Sequence, residues 1–66
     1  MCEAIGILKI YQNRPDGFIK GGIEGRKRQG FYIAKQPSIR AQAIMLEGTK
    51  VEGRLVRGRL VRIRKL

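Results

Sequence analysis

The residue types that most often carry catalysis are scarce in this chain. There is no histidine, and Cys2 is the only cysteine. The five acids, Glu3, Asp16, Glu24, Glu47 and Glu52, show none of the paired spacing that acid–base chemistry uses. The hydroxyls of Ser38 and Thr49 have no candidate base beside them. Gly21-Gly22-Ile23-Glu24-Gly25 is glycine-rich, but it lacks the Gly-Lys-Ser/Thr ending and the following helix of a phosphate-binding loop. One cysteine without histidine also excludes the usual zinc patterns. The expectation is a protein that is not an enzyme and uses no metal or cofactor. Unpaired Cys2 fits a reducing compartment and a frayed N-terminus.

The chemistry that remains is binding. Fifteen Lys and Arg face five acids, for a net charge of +10 over 66 residues. A field of that size attracts polyanions, nucleic acid first and anionic membrane second. Arg26-Lys27-Arg28, between Gly25 and Gly30, reads as a basic loop over 25–30 that touches phosphates, or as a solvated connection whose charge is incidental. Gly-Arg-Leu-Val-Arg occurs at 53–57 and again at 58–62. A period this short is no solenoid, whose repeats need about 20 residues or more. Two strands that turn near Arg57-Gly58-Arg59 account for it. Pairing them would gather Arg54, Arg57, Arg62 and Arg64 on one surface, where guanidinium groups bind phosphate bidentately and stack on bases.

These residues need strands to position them. The β-branched and aromatic run 5–11 reads as the first strand, Asn13 to Gly17 as a turn around Pro15 and Gly17, and 18–24 as the second strand. Residues 31–35 form the third, with Phe31, Ile33 and Lys35 on one face and Tyr32 and Ala34 on the other. Pro37 ends it. Ser38 then caps a short helical or irregular connection, 37–46. Glu47 to Lys50 is a tight turn, and the final strands follow. In the last, Val61 and Ile63 alternate with Arg62 and Arg64, as in a half-buried strand. A basic amphipathic helix on a membrane is the other reading of this stretch; its internal glycines and β-branched residues count against it. The prediction is a single domain over 1–66: all-β, a small five-stranded antiparallel barrel of the OB type, since closure removes sheet edges. With 42% apolar residues the chain is globular and not a basic tail. No run reaches the roughly 18 residues of a membrane span, and the opening residues lack the pattern of a signal peptide. The expected setting is cytoplasmic, with no membrane partner.

Gly6-Ile7-Leu8-Lys9-Ile10-Tyr11, then Gly17-Phe18-Ile19, Phe31-Tyr32-Ile33, Ser38-Ile39 and Leu46-Glu47-Gly48-Thr49-Lys50-Val51 resemble a cold-shock domain in order and approximate spacing. That family has Gly-x-Val-Lys-Trp-Phe, Lys-Gly-Phe-Gly-Phe-Ile, Val-Phe-Val-His-Phe, Ser-x-Ile and Leu-x-x-Gly-x-x-Val. The resemblance implies an OB-type barrel that binds single-stranded RNA or DNA. It assigns base stacking to Phe18 and Tyr32, which match family aromatics, and adds Lys9 and Tyr11. By pattern alone a strand aromatic is core, and Phe31 is core by parity with Ile33. Tyr11 fits either a buried or a surface position.

The departures fall on the binding face. Ile10 stands for the tryptophan, Asp16 for a phenylalanine, Ala34 for the histidine and Lys35 for the last phenylalanine. Arg14-Pro15 replaces Lys-Gly. Fewer aromatics and more cations shift binding from base stacking toward phosphate neutralisation, so affinity depends more steeply on salt. The functional expectation is low-specificity binding of single-stranded nucleic acid, the activity of an RNA chaperone or a gene-expression regulator. Lys9, Arg14, Lys35, Arg54, Arg57, Arg62 and Arg64 would contact phosphate, and Arg26, Lys27 and Arg28 would form a mobile basic arm. The alternative is a basic scaffold or adaptor, in a ribonucleoprotein particle or on an acidic protein partner such as a polymerase or nuclease.

Overall fold

Alternation of inward and outward side chains organises the whole chain. The computed structural model describes residues 2–34 and 36–66, the side chain of Cys2 excepted. Strand β1 (Cys2–Asn13) is followed by β2 (Ile19–Glu24), β3 (Arg28–Ile33), the helix α1 (Pro37–Leu46), β4 (Lys50–Val56) and β5 (Arg59–Lys65). The strands close into a barrel in the order β1-β2-β3-β5-β4. The all-β, five-stranded OB-type expectation is met in this closed barrel, with one correction. All neighbouring pairs are antiparallel except β3 and β5, which run parallel and meet at Tyr32 and Arg59. The reason is parity. Strand directions cannot alternate all the way round a closed ring with an odd number of strands, so one pair must be parallel.

The inward side chains are Ala4 and Leu8 of β1, Ile19 and Ile23 of β2, Phe31 and Ile33 of β3, Val51 and Leu55 of β4, and Leu60 and Ile63 of β5. Each large aliphatic buried there contributes about 1.5–3 kcal/mol. Among the described residues no polar or charged side chain is buried. The barrel is narrow enough that a Cβ on Gly53 would come within 2.6 Å of Ile23 Cδ1 and 3.0 Å of Leu60 Cδ1. The absence of a side chain there gives those two residues their space. Helix α1 packs Ile39, Ala43 and Leu46 against the core, a spacing of four and then three residues that holds one helix face.

Several boundaries differ from expectation. β1 begins at Cys2, whose backbone pairs with Leu55, so Cys2, expected on a frayed end, is a sheet residue. The basic loop shrinks to Gly25, Arg26 and Lys27, because Arg28, Gln29 and Gly30 extend β3 along β2. Helix α1 starts at Pro37, which suits a first helical position because it lacks an N–H. Gln36 is the N-cap and makes no capping bond; Ser38 lies inside the first turn and is not the cap. In β5 the pairing with β4 slips, Arg54 opposing Arg62 while Leu55 opposes Leu60, so Val61 is the extra residue. That bulge turns Leu60 inward with Ile63 and leaves Val61 half-buried, where strict alternation expected Val61 in the core.

The turns follow their residues. Gly17 and Gly48 take φ of 90° and 82°. After α1, the Thr49 hydroxyl donates to Leu46 O at 2.6 Å, and Gly48 N donates to Leu8 O at 2.8 Å. Among the described residues no helix is long and apolar enough to cross a membrane.

Candidate nucleic-acid interface

The outer face of β2 and β3 is set by the same alternation that builds the core. Since Ile19, Gly21 and Ile23 turn inward, Lys20, Gly22 and Glu24 turn outward, opposite Tyr32, Gly30 and Arg28. Phe18 reaches this face from the turn before β2. Arg14 N donates to Phe18 O at 2.9 Å, and the Asp16 carboxylate accepts from Phe18 N at 3.0 Å. These bonds hold the Phe18 ring beside Tyr32, with centroids 5.7 Å apart and planes 14° from parallel. Both residues are partly exposed. The Arg14 guanidinium lies 6.0 Å from the Phe18 centroid and within 3.8 Å of Asp16.

A second aromatic platform stands across the sheet. In β1, Ile10 pairs with Gly21 and Gln12 with Lys20, which makes Tyr11 a bulged residue. Tyr11 is 47% exposed, and the Arg28 guanidinium sits 4.6 Å from its ring centroid. Its hydroxyl donates to Glu24 Oε2 at 2.7 Å. That bond raises the Tyr11 phenol above its ordinary value, with partial desolvation adding to it and the Arg28 charge opposing. The pair lies over Gly22, where a Cβ would stand 3.2 Å from the Tyr11 hydroxyl and 3.3 Å from Arg28 Nε.

Between the platforms runs an open groove of about 660 Å³, lined by Tyr11, Gln12, Lys20, Gly21, Arg28, Gly30, Phe31, Tyr32, Arg57 and Gly58. Gly30 forms a bare patch of floor, since a Cβ there would meet nothing within 4 Å. The far wall is the two-residue turn between β4 and β5. Arg57 takes φ of 52° and Gly58 φ of 81°, the left-handed pair that a tight hairpin with right-handed strand twist requires. Gly58 O accepts from Tyr32 N at 2.9 Å, which ties this turn to β3. An arginine in the left-handed region costs about 1–2 kcal/mol relative to an ordinary backbone, and here the turn that holds it borders the groove.

The expected site residues therefore divide. Tyr11, Arg28, Tyr32 and Arg57 line the groove, and Phe18 and Arg14 extend it. Lys9 is exposed on β1 opposite Gly22, and Arg26 and Lys27 are exposed on the β2–β3 connection. Arg28, expected in a mobile arm, is instead a strand residue held over Tyr11. Arg54, Arg62 and Arg64 lie together on β4 and β5, away from the groove, so the expected surface of four arginines splits and Arg57 belongs elsewhere. The Val56–Arg59 hairpin turn is what separates them. Lys35 lies outside the described residues. Sequence reasoning missed Lys20 and Gly30. Lys20 shares the parity of Phe18 in the expected strand 18–24, a signal that was present; Gly30 needed the register with Gly22. Among the described residues no group of three or more His, Cys, Asp or Glu could hold a metal ion.

The chain matches no family model, no curated protein and no solved structure.

Proposed function

We propose that this protein binds single-stranded RNA or DNA along the β1–β2–β3 face, as a diverged relative of the cold-shock domains, and that it catalyses nothing. The observation that carries the reading is the pair of aromatic platforms, Phe18 with Tyr32 and Tyr11 with Arg28, on either side of a groove with a bare glycine floor. Bases present a π-face whatever their identity, so stacking there is tolerant of sequence. Lys20, Arg28 and Arg57 border the same groove and would neutralise phosphates. A duplex keeps its bases stacked on each other and has none to offer the rings. A cytoplasmic setting and a part in RNA folding or gene expression go with this activity.

The test is fluorescence anisotropy with a labelled pyrimidine-rich strand and its matching duplex, titrated across salt. Tighter binding of the single strand that persists at moderate salt is expected. Phe18→Ala with Tyr32→Ala should weaken it by about 1–3 kcal/mol for each base unstacked, with the circular dichroism unchanged. Equal binding of strand and duplex that collapses steeply with salt would refute base stacking and leave a charge-driven scaffold.

A further inference from the structure

We propose that the protein holds two nucleic-acid segments at once, the second by its phosphates in an arginine cleft on the far side of the barrel. The inference rests on the groove reading for the first segment. The cleft, about 270 Å³, is lined by Glu3, Glu52, Gly53, Arg54, Arg62 and Arg64, none of which lines the aromatic groove. In the ring order β1-β2-β3-β5-β4, strand β4 stands directly across from the β2–β3 pair that floors the groove. One strand lying in the groove therefore leaves the cleft free.

The cleft's own carboxylates, Glu3 and Glu52, answer only part of the charge of its three arginines. Arg54 and Arg62 are direct cross-strand partners, and like charges so placed repel. The Arg54 Nε is enclosed and has no hydrogen-bond partner. The two ion pairs among the described residues are Arg14 with Asp16 and Arg64 with Glu52, the latter at 2.6 Å, so neither Arg54 nor Arg62 has a carboxylate on it. Glu3 stands opposite Arg54 on β1 without closing a pair. A phosphodiester oxygen between the two guanidiniums would accept from both and remove the repulsion. Arg62 and Arg64, two residues apart on β5, are spaced by about 7 Å along the strand. Arg54 lies beside Arg62 across the strands, and Arg64, held by Glu52, stands further along β5, so the cleft offers contacts to more than one phosphate and suits a phosphate chain better than a single free anion.

Occupying both sides makes the protein a bridge. Two strands would be held within the dimensions of a body 31 by 23 by 18 Å, and the local concentration of each near the other would rise accordingly. The expected consequence is faster pairing of complementary strands.

The test tethers a short oligouridine to a surface, loads the protein, washes, and adds a labelled oligouridine that cannot pair with the first. Capture of the second strand is expected, at two strands per protein monomer under excess strand, with sedimentation of the free protein confirming the monomer. Arg54→Gln with Arg62→Gln should cut capture about tenfold or more through loss of two phosphate contacts, while binding of the first strand changes little. In the unaltered protein, short oligouridine in excess should also shift the backbone amide resonances at 53, 54, 62 and 64, a readout that needs no variant. First-strand binding without capture would overturn the bridge and leave the groove reading standing. Capture undiminished in the double variant would remove the cleft from it. A cleft that binds polyglutamate but no oligouridine would overturn the proposal in favour of an acidic protein partner. Failure of the first strand to bind would sink the groove reading and the bridge with it.

Discussion

Gly30→Val separates stability from binding by moving them in opposite directions. Gly30 is paired with Gly22 in the middle of the sheet, its backbone lies outside the left-handed region, and a Cβ there meets nothing within 4 Å. The Cβ of a substituted side chain therefore enters without a clash. Strand preference contributes up to about 1 kcal/mol in its favour, and the narrower unfolded ensemble adds about 0.4–1 kcal/mol. For a domain of this size, about 1 kcal/mol raises the melting temperature by roughly 4–8 °C. The same side chain stands on the groove floor between the two platforms, where a stacked base would lie. Losing one base from the stack costs about 1–3 kcal/mol, or roughly 5- to 150-fold in affinity. The assays are thermal unfolding followed by circular dichroism and anisotropy with a labelled single strand, on the same preparation. A higher melting temperature with unchanged affinity would refute the groove as the site. A lower melting temperature would refute the geometry assigned to Gly30.

Three further outcomes follow from other parts of the barrel. Arg57→Gly should relieve the left-handed arginine and stabilise the fold by about 1 kcal/mol. The same change should flatten the salt dependence of single-strand binding by about 0.7 in the log–log slope, one phosphate contact, and an unaltered slope would remove Arg57 from the interface. Leu60→Ala empties a fully buried position near the start of β5 and should cost about 2–5 kcal/mol in urea unfolding. That is comparable to the whole stability of so small a domain, and a loss below about 1 kcal/mol would contradict the packing described. The Tyr11 phenol is held above its ordinary value of 10.0 by the Glu24 carboxylate. Because the folded value is the higher one, any stability from this bond is present below pH 10 and fades as the pH rises through the folded value. Ultraviolet titration should find a phenol ionising late, and Glu24→Gln should bring it back toward or below the ordinary value; no change on that substitution would break the assignment.

Where structure depends on neighbours in sequence, the residues were enough to read it. Alternation placed Phe31 and Ile33 together on the core face and Tyr32 on the opposite one, because successive strand residues must face opposite ways; the surface role of Tyr32 came from the family resemblance. Gly17, Gly48 and Gly58 mark turns that need left-handed backbone, and the repeated Gly-Arg-Leu-Val-Arg resolves into a hairpin. The +10 charge and the absence of histidine follow from composition alone and bound what the surface can attract. Local pattern failed where a single inserted residue reset it. The bulge at Val61 exchanges Val61 for Leu60 in the core, and a bulge is a property of two strands together.

What the tertiary structure decided is which distant residues meet. Ring closure by an odd number of strands forced β3 and β5 to run parallel, and that contact brings the Arg57-Gly58 turn against Tyr32. Arg28 reaches Tyr11 only because β1 and β3 both pair with β2 in a particular register. The same closure carries Arg54, Arg62 and Arg64 to the side away from the groove, although Arg57 is their near neighbour in sequence. Strand order and register are set by packing of the whole core, where a one-residue slip would expose every buried side chain of a strand. The sequence alone thus determined the kinds of groups available for binding, and the closed barrel decided their assignment to two opposite faces.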